Sequence, residues 1–302
     1  MNASELEPSA AALYSEVMSK ALQIPAAPFL LPRMLDAIED PNKGADELEQ
    51  LIGLDPGVSS ATLRLANSSW FGLPSSCDSL REAIFRLGAR EVYQITATSL
   101  SVRWMVQEAG GYGWEPGDFC RHSLAVAFGA QLFAERTGIE DPLKAYTAGL
   151  LHDIGKLAMA HALPYELTRV RDRQLSEGGT WIANERAVFG FDHTQVSSGI
   201  LTKWSFPESL IIAARFYAKP SSGPSHCSAL LAVIHAAKQL AVSLGVGVGE
   251  EGFLAEADGG FLRSFGITEA QGEEILPEVC RRLERMLGNS LSTGRIKLGD
   301  NM

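Results

Sequence analysis

Gly149-Leu-Leu-His-Asp-Ile-Gly-Lys-Leu157 sets a histidine and a carboxylate side by side inside an apolar helical pattern. Leu150, Ile154 and Leu157, together with Leu151 and Ala158, recur at three- and four-residue spacing, which predicts a helix buried over much of its surface. His152 and Asp153 interrupt that surface. An ionised carboxylate withdrawn from water needs a partner charge, several hydrogen bonds or a metal, so Asp153 is expected to have one of these. Adjacent helical positions point about 100° apart, so the two side chains can converge on one ion only at the edge between two faces. Two donors make no site, and the remaining ligands have to come from elsewhere in the chain.

The surrounding composition sets the class. With 302 residues, 46% of them hydrophobic and 21% charged, the chain can bury a sizeable core as one large domain or two lobes. A net charge of −10 argues against general nucleic-acid binding and against an anionic membrane surface. Cys77, Cys120, Cys227 and Cys280 are widely spaced, with no CxxC pair, and read as reduced thiols of a cytoplasmic protein. The first residues lack the basic start and apolar run of a signal peptide, and no uncharged apolar stretch approaches the ~18 residues of a membrane span.

Strand signals are nearly absent, and helix punctuation is dense, so an all-α fold is expected. Residues 10–23 read as a leading helix. Pro25, Pro28 and Pro32 predict an extended segment before a short helix at Met34–Glu39. Asp55-Pro56 and Asp141-Pro142 are helix starts: aspartate caps the orphan N–H groups and proline occupies the first turn. The second of these starts is expected to open the helix that carries His152 and Asp153. Ser79 with Glu82, and Thr268 with Gln271, form capping boxes. The breaker-rich stretch Glu108–Gly117 reads as an internal boundary, and Gly245–Gly260 as a loop.

Several of these stretches together resemble one family. Asp55-Pro-Gly-Val, Leu63-Arg-Leu-Ala-Asn-Ser-Ser-Trp-Phe-Gly72 and Leu80-Arg-Glu-Ala-Ile-Phe-Arg-Leu-Gly88 are similar to the N-terminal half of the HDOD domain of bacterial signalling proteins. Gly149–Leu157, Asp192-His193 and Trp204-Ser-Phe-Pro-Glu-Ser-Leu210 are similar to its HD-derived half. The resemblance implies a multi-helical fold related to the HD phosphohydrolases, with an N-terminal helical lobe over 20–110 and an HD-type lobe over 116–245. Residues 1–19 would then be an N-terminal extension, and 246–302 a C-terminal loop and helix.

HD phosphohydrolases hold divalent or iron ions on histidine and aspartate side chains. Following that pattern, the resemblance places His122, His152, Asp153 and His193 at ligand positions. Two adjacent histidines are expected where this chain has Tyr217 and Ala218, and a final aspartate where it has Lys238. A charged ammonium offers no lone pair to a metal and repels it. The glycine-tyrosine-proline signature of cyclic-dinucleotide hydrolases is missing as well. Lys238 is therefore expected to approach Asp153 and replace part of the lost cationic charge, with Lys156 as the other candidate counter-charge. His235 reads as a hydrogen-bonded core residue, His161 and His226 as surface or helix-end residues, and Asn67 as a capping residue. Trp70, Phe71 and Trp204 read as packing residues.

The leading reading is a catalytically degenerate signalling protein that needs no cofactor and works through a protein partner or a small ligand such as a nucleotide. With no sensor sequence ahead of the domain, its input is expected from another chain or a ligand. The alternative is a phosphohydrolase acting on a nucleotide or phosphate ester, with His152, Asp153 and Lys156 as catalytic candidates. That reading requires a single divalent metal or iron on His122, His152, Asp153 and His193.

Overall fold

The computed structural model describes residues 9–22, 30–40, 43–67, 75–105, 110–247, 249 and 256–287. These form helices and turns, with no strand among the described residues. The chain divides into two compact units, one of residues 25–105 with 204–207, the other of 1–24, 106–203 and 208–302.

The first of these contains α2 (Leu30–Glu39), α3 (Ala45–Gly53), α4 (Pro56–Ala66), α5 (Leu80–Leu87) and α6 (Ala89–Met105). α2 begins four residues before Met34 and takes in Pro32, contrary to the extended segment expected there. Pro32 falls in the first turn, where a backbone N–H would have no intrahelical acceptor to lose. Asp55 Oδ1 accepts from the N–H groups of Gly57 (2.8 Å) and Val58 (3.1 Å) at the start of α4. Ser79 Oγ accepts from Glu82 N at 3.1 Å, while the Glu82 carboxylate turns to Asp78 N at 3.3 Å. Asn67 ends α4 as a staple: its amide donates to Leu63 O and Cys77 O, both at 2.9 Å, and accepts from Cys77 N at 2.6 Å. Trp70 and Phe71 lie outside the described residues.

The other unit holds α1 (Ala10–Ala21) and the helices that carry the candidate residues: α7 (Asp118–Thr137), α8 (Pro142–Leu151), α9 (Ile154–Ala162), α10 (Leu167–Glu177), α11 (Trp181–Phe189), α12 (His193–Lys203), α13 (Glu208–Phe216), α14 (Ser228–Ser243), α15 (Gly259–Ser264) and α16 (Glu269–Leu287). α7 is the axis of the unit. Its side chains from Phe119 to Ala130 are buried on every face except that of Arg121, and it packs against α8, α14 and α16. A helix that is apolar nearly all round belongs in such a position. α1 lies on α9 and α12, so the N-terminal helix is part of this unit. Thr268 and Gln271 cap α16 reciprocally, at 3.0 and 3.4 Å.

One expected element is broken. The helix opened by Asp141-Pro142 ends at Leu151, and a second begins at Ile154, so His152 and Asp153 form the turn between α8 and α9. Asp153 adopts φ −103° and ψ 13°, outside the helical well. Two glycines permit the close packing around this turn. A Cβ on Gly149 would sit 2.8 Å from the α7 backbone at Ala127, and one on Gly155 would sit 2.0 Å from the carbonyl oxygen of His193.

Candidate functional site

The turn changes what the two neighbouring side chains can do. On a continuous helix they would diverge by about 100°. Here His152 Nε2 lies 3.2 Å from Asp153 Oδ2, although not aligned for a hydrogen bond. His152 Nδ1 faces the carbonyl of Gly149 at 2.7 Å, and His122, projecting from α7, faces that of Val246 with its own Nδ1 at 3.1 Å. A carbonyl only accepts, so each Nδ1 carries the donated proton and each Nε2 is the ring atom turned to Asp153 Oδ2. Both Nε2 atoms are buried and have no hydrogen-bond partner among the described residues. With a carboxylate oxygen of Asp153 they form a cluster of ligand atoms within 4.8 Å of one another.

His193, the first residue of α12, is brought to the same carboxylate, its Nε2 3.7 Å from Asp153 Oδ1. It is committed elsewhere. Its Nδ1 meets Glu185 Oε2 at 2.6 Å, and its Nε2 meets the Tyr217 hydroxyl at 2.8 Å. Tyr217, which stands where the first of two histidines was expected, donates its hydroxyl to Asp153 Oδ1. The phenol thus occupies the space between His193 and Asp153. Ala218 beside it offers no ligand atom.

Two ammonium groups complete the surroundings. Lys156 Nζ lies 2.8 Å and Lys238 Nζ 3.5 Å from Asp153 Oδ2, and both lysines are buried. Lys238 also lies 3.4 Å from the Tyr217 hydroxyl. Burial by itself would raise the Asp153 pKa, but His152, Lys156 and Lys238 outweigh it and hold the carboxyl well below its ordinary value.

These contacts decide whether an ion fits. The donor atoms of His122, His152 and Asp153 are arranged for one, but the charge around them is not. The carboxylate oxygen nearest to both imidazoles is the one that holds both ammonium groups. One negative charge already faces two positive ones, and a divalent cation added at this distance from two ammonium groups is repelled by both. With Tyr217, Ala218 and Lys238 at positions where the resemblance implies three donors, the described residues offer no ligand set for a two-metal centre. The residues present do not fit a divalent ion.

Glu185 was not singled out from the sequence, yet it organises the far side of the cluster. Fully buried on α11, it accepts from Tyr112 Oη (2.7 Å) and Trp181 Nε1 (3.1 Å) through Oε1, and from the backbone N (3.0 Å) and the ring of His193 through Oε2. The signal was present. Glu185 is four residues from both Trp181 and Phe189, which puts a carboxylate on the apolar face of its helix. The remaining histidines are structural or peripheral. His235 Nδ1 donates to Tyr217 O at 2.8 Å and its Nε2 accepts from Asp258 N at 2.9 Å, while His161 and His226 are exposed.

The buried cluster carries a pH signature. Burial first, then the neighbouring His152 and Lys238, push the His122 imidazole from 6.5 down to about 3. Below about pH 6.5 the unfolded chain takes up a proton that the folded chain refuses, so stability falls as the pH drops from there toward the folded value. Between pH 6.5 and 5 this amounts to about 2 kcal/mol, read as a fall in the urea midpoint. His122→Gln is expected to flatten that window, and an unchanged slope in the variant would assign the loss to another group.

A model of the HDOD domain matches residues 24–220. An HDOD domain protein of unknown function from Geobacter sulfurreducens is 25% identical and superposes with a TM-score of 0.71, over 91% of this chain and 97% of that one. A protein from Marinobacter aquaeolei VT8, provisionally named a signal transduction protein, shares the fold at 21% identity and a TM-score of 0.69, over 96% of this chain and 66% of that one. An uncharacterised protein of Treponema pallidum (strain Nichols) is 22% identical over 231 residues, 76% of this chain. The match covers 44% of that relative, so the chain spans less than half the length of the curated protein it resembles. The domain match takes in α7 to α13 with the His152-Asp153 turn, and with the helical superposition it shows that this chain belongs to the HDOD domain family.

Proposed function

We propose that this chain is a regulatory HDOD protein without catalytic activity, which acts in signal transduction by binding a protein partner or a small ligand. One observation carries the reading. Asp153, the residue on which a metal would depend, is paired with the buried ammonium groups of Lys156 and Lys238 and with the Tyr217 hydroxyl. The polar set of an HD-type site has become an internal ion cluster that ties α9, α13 and α14 together. The provisional name of the Marinobacter relative supports a signalling role. Location in the cytoplasm belongs to the same proposal, supported by four unpaired cysteines, three of them buried. No helix among the described residues is long and apolar enough to cross a membrane.

The second reading, a metal-dependent phosphohydrolase acting on a nucleotide or phosphate ester, is favoured by the clustering of His122 Nε2 and His152 Nε2 beside Asp153. Turnover separates the two. Wild-type protein supplied with Mn²⁺ or Fe²⁺ is expected to release no phosphate from nucleotides and no product from phosphodiesters above the protein-free blank. Turnover that disappears in Asp153→Asn would overturn the regulatory reading.

A further inference from the structure

A cavity of about 540 Å³ lies within the unit that holds the ion cluster, with Lys238 in its wall. Its volume falls within the roughly 300–1,000 Å³ usual for small-molecule sites. A larger concavity, of about 800 Å³, lies in the other unit among Arg33, Lys43, Asp46 and Glu47, and contains none of the candidate residues.

The charge of the smaller cavity runs against that of the chain. Arg186, Arg215, Lys219 and Lys238 line it against two carboxylates, Glu256 and Asp258, in a protein of net charge −10. The cations differ in their availability. Arg186 is held by Asp192 at 2.5 Å, and Lys238 by Asp153. Arg215 donates to Thr194 Oγ1 at 2.6 Å and stands 4.0 Å from the nearest carboxylate, Asp192. Lys219 is exposed at the rim. The two carboxylates keep their charge, and the oxygens of Asp258 are turned to other donors. Asp258 accepts from Ser221 and caps α15 through Phe261 N at 3.2 Å. Glu256 is exposed.

Two further features point the same way. The wall includes Thr180, the N-cap of α11, which accepts from Ala183 N through its side chain, and Trp181 and Ile182 of the first turn, where backbone N–H groups have no intrahelical acceptor and the helix dipole favours negative charge. Ala218 also lines the cavity, so the loss of a histidine expected at that position leaves room there instead of a ligand atom.

We propose that this cavity binds a small phosphate-bearing ligand, with Arg215 and Lys219 as its principal contacts. The proposal rests on the metal-free regulatory reading and supplies it with a ligand class. It also gives Lys238 a second role. Lys238 belongs to the cavity wall and to the ion cluster at once, so an anion in the cavity competes with Asp153 for the same ammonium group while Lys156 stays on the carboxylate.

The test is calorimetric titration of the full chain in EDTA with ATP, inorganic triphosphate and adenosine as probes. ATP and triphosphate are expected to bind saturably and to weaken as salt is raised, whereas adenosine does not bind. Lys219→Ala, exposed and safe to replace, is expected to weaken ATP at least threefold, and Arg215→Gln combined with Lys219→Ala at least tenfold, with the helical circular dichroism unchanged. Adenosine binding as tightly as ATP would overturn the inference, as would affinity unaffected by the double replacement. Absence of binding in EDTA and in Mn²⁺ alike would overturn the inference and leave the regulatory reading intact. Binding only with Mn²⁺, accompanied by phosphate release, would overturn both.

Discussion

Asp153→Ala is expected to cost on the order of 5 kcal/mol of folding stability, enough to unfold a domain of ordinary stability, because it removes the one carboxylate that two buried ammonium groups share. Lys156 and Lys238 are 1% and 4% exposed, and both face the same carboxylate oxygen. The Tyr217 hydroxyl loses its acceptor in the same step. Lys238→Ala should be milder, about 1–2 kcal/mol, since Lys156 remains 2.8 Å from Asp153 and the carboxylate stays paired. The ordering of the two variants is the informative quantity. Urea unfolding in which Asp153→Ala is as stable as wild type, or less damaging than Lys238→Ala, would show that this carboxylate is not the anchor of the lysines.

Glu185→Ala is the second large effect, expected at about 4 kcal/mol. The carboxylate is 0% exposed and receives donors from Tyr112, Trp181 and both the backbone and the ring of His193. Alanine takes the acceptor from the Trp181 indole and from the backbone and ring of His193, while Tyr112 Oη keeps the Met159 sulfur at 3.8 Å, and each buried donor that loses its acceptor costs roughly 1–3 kcal/mol. The change reaches the cluster because His193 loses the contact that fixes its ring. Quenching or a wavelength shift of Trp181 fluorescence would report the loss of its indole partner in the folded variant. A cost below about 1 kcal/mol would mean that water or a neighbouring side chain replaces the carboxylate.

How far the sequence reached depended on whether a signal was local. Helix starts were legible at Asp55, Ser79, Asp141 and Thr268 because a cap is a contact between residues three or so apart, and each is made. The approach of Lys238 to Asp153, 85 residues away, was legible only through the resemblance, which places a metal ligand at that position. The break between α8 and α9 was not legible. Leu150, Ile154 and Leu157 keep their helical spacing across it, and the turn is selected by packing that Gly149 and Gly155 allow against α7 and α12. Periodicity reports which residues are buried, and a two-residue turn inside a buried segment leaves it unchanged. Glu185 was missed for a related reason: an isolated glutamate on a nine-residue helix reads as solvated until the apolar neighbours one turn either side are considered.

The regulatory reading proposed above amounts to a catalytic cluster converted into a structural one. A metal ion and a lysine ammonium both neutralise a buried aspartate, but the ammonium carries its charge on the chain and leaves no open coordination position for a substrate or water. Lys238 and Tyr217, at positions where the resemblance implies a carboxylate and an imidazole, each contact Asp153. His122 and His152 keep their Nε2 atoms turned to the same carboxylate.

The most direct test of that conversion is elemental analysis of wild-type protein purified without an affinity tag or chelator, alongside His152→Ala and Asp153→Asn. The expected result is a folded wild type with iron, manganese and zinc far below one equivalent, and no difference in metal content between it and either variant. Near-stoichiometric metal that is lost in both variants would contradict the account, because it would place a cation beside the lysine held to have replaced it.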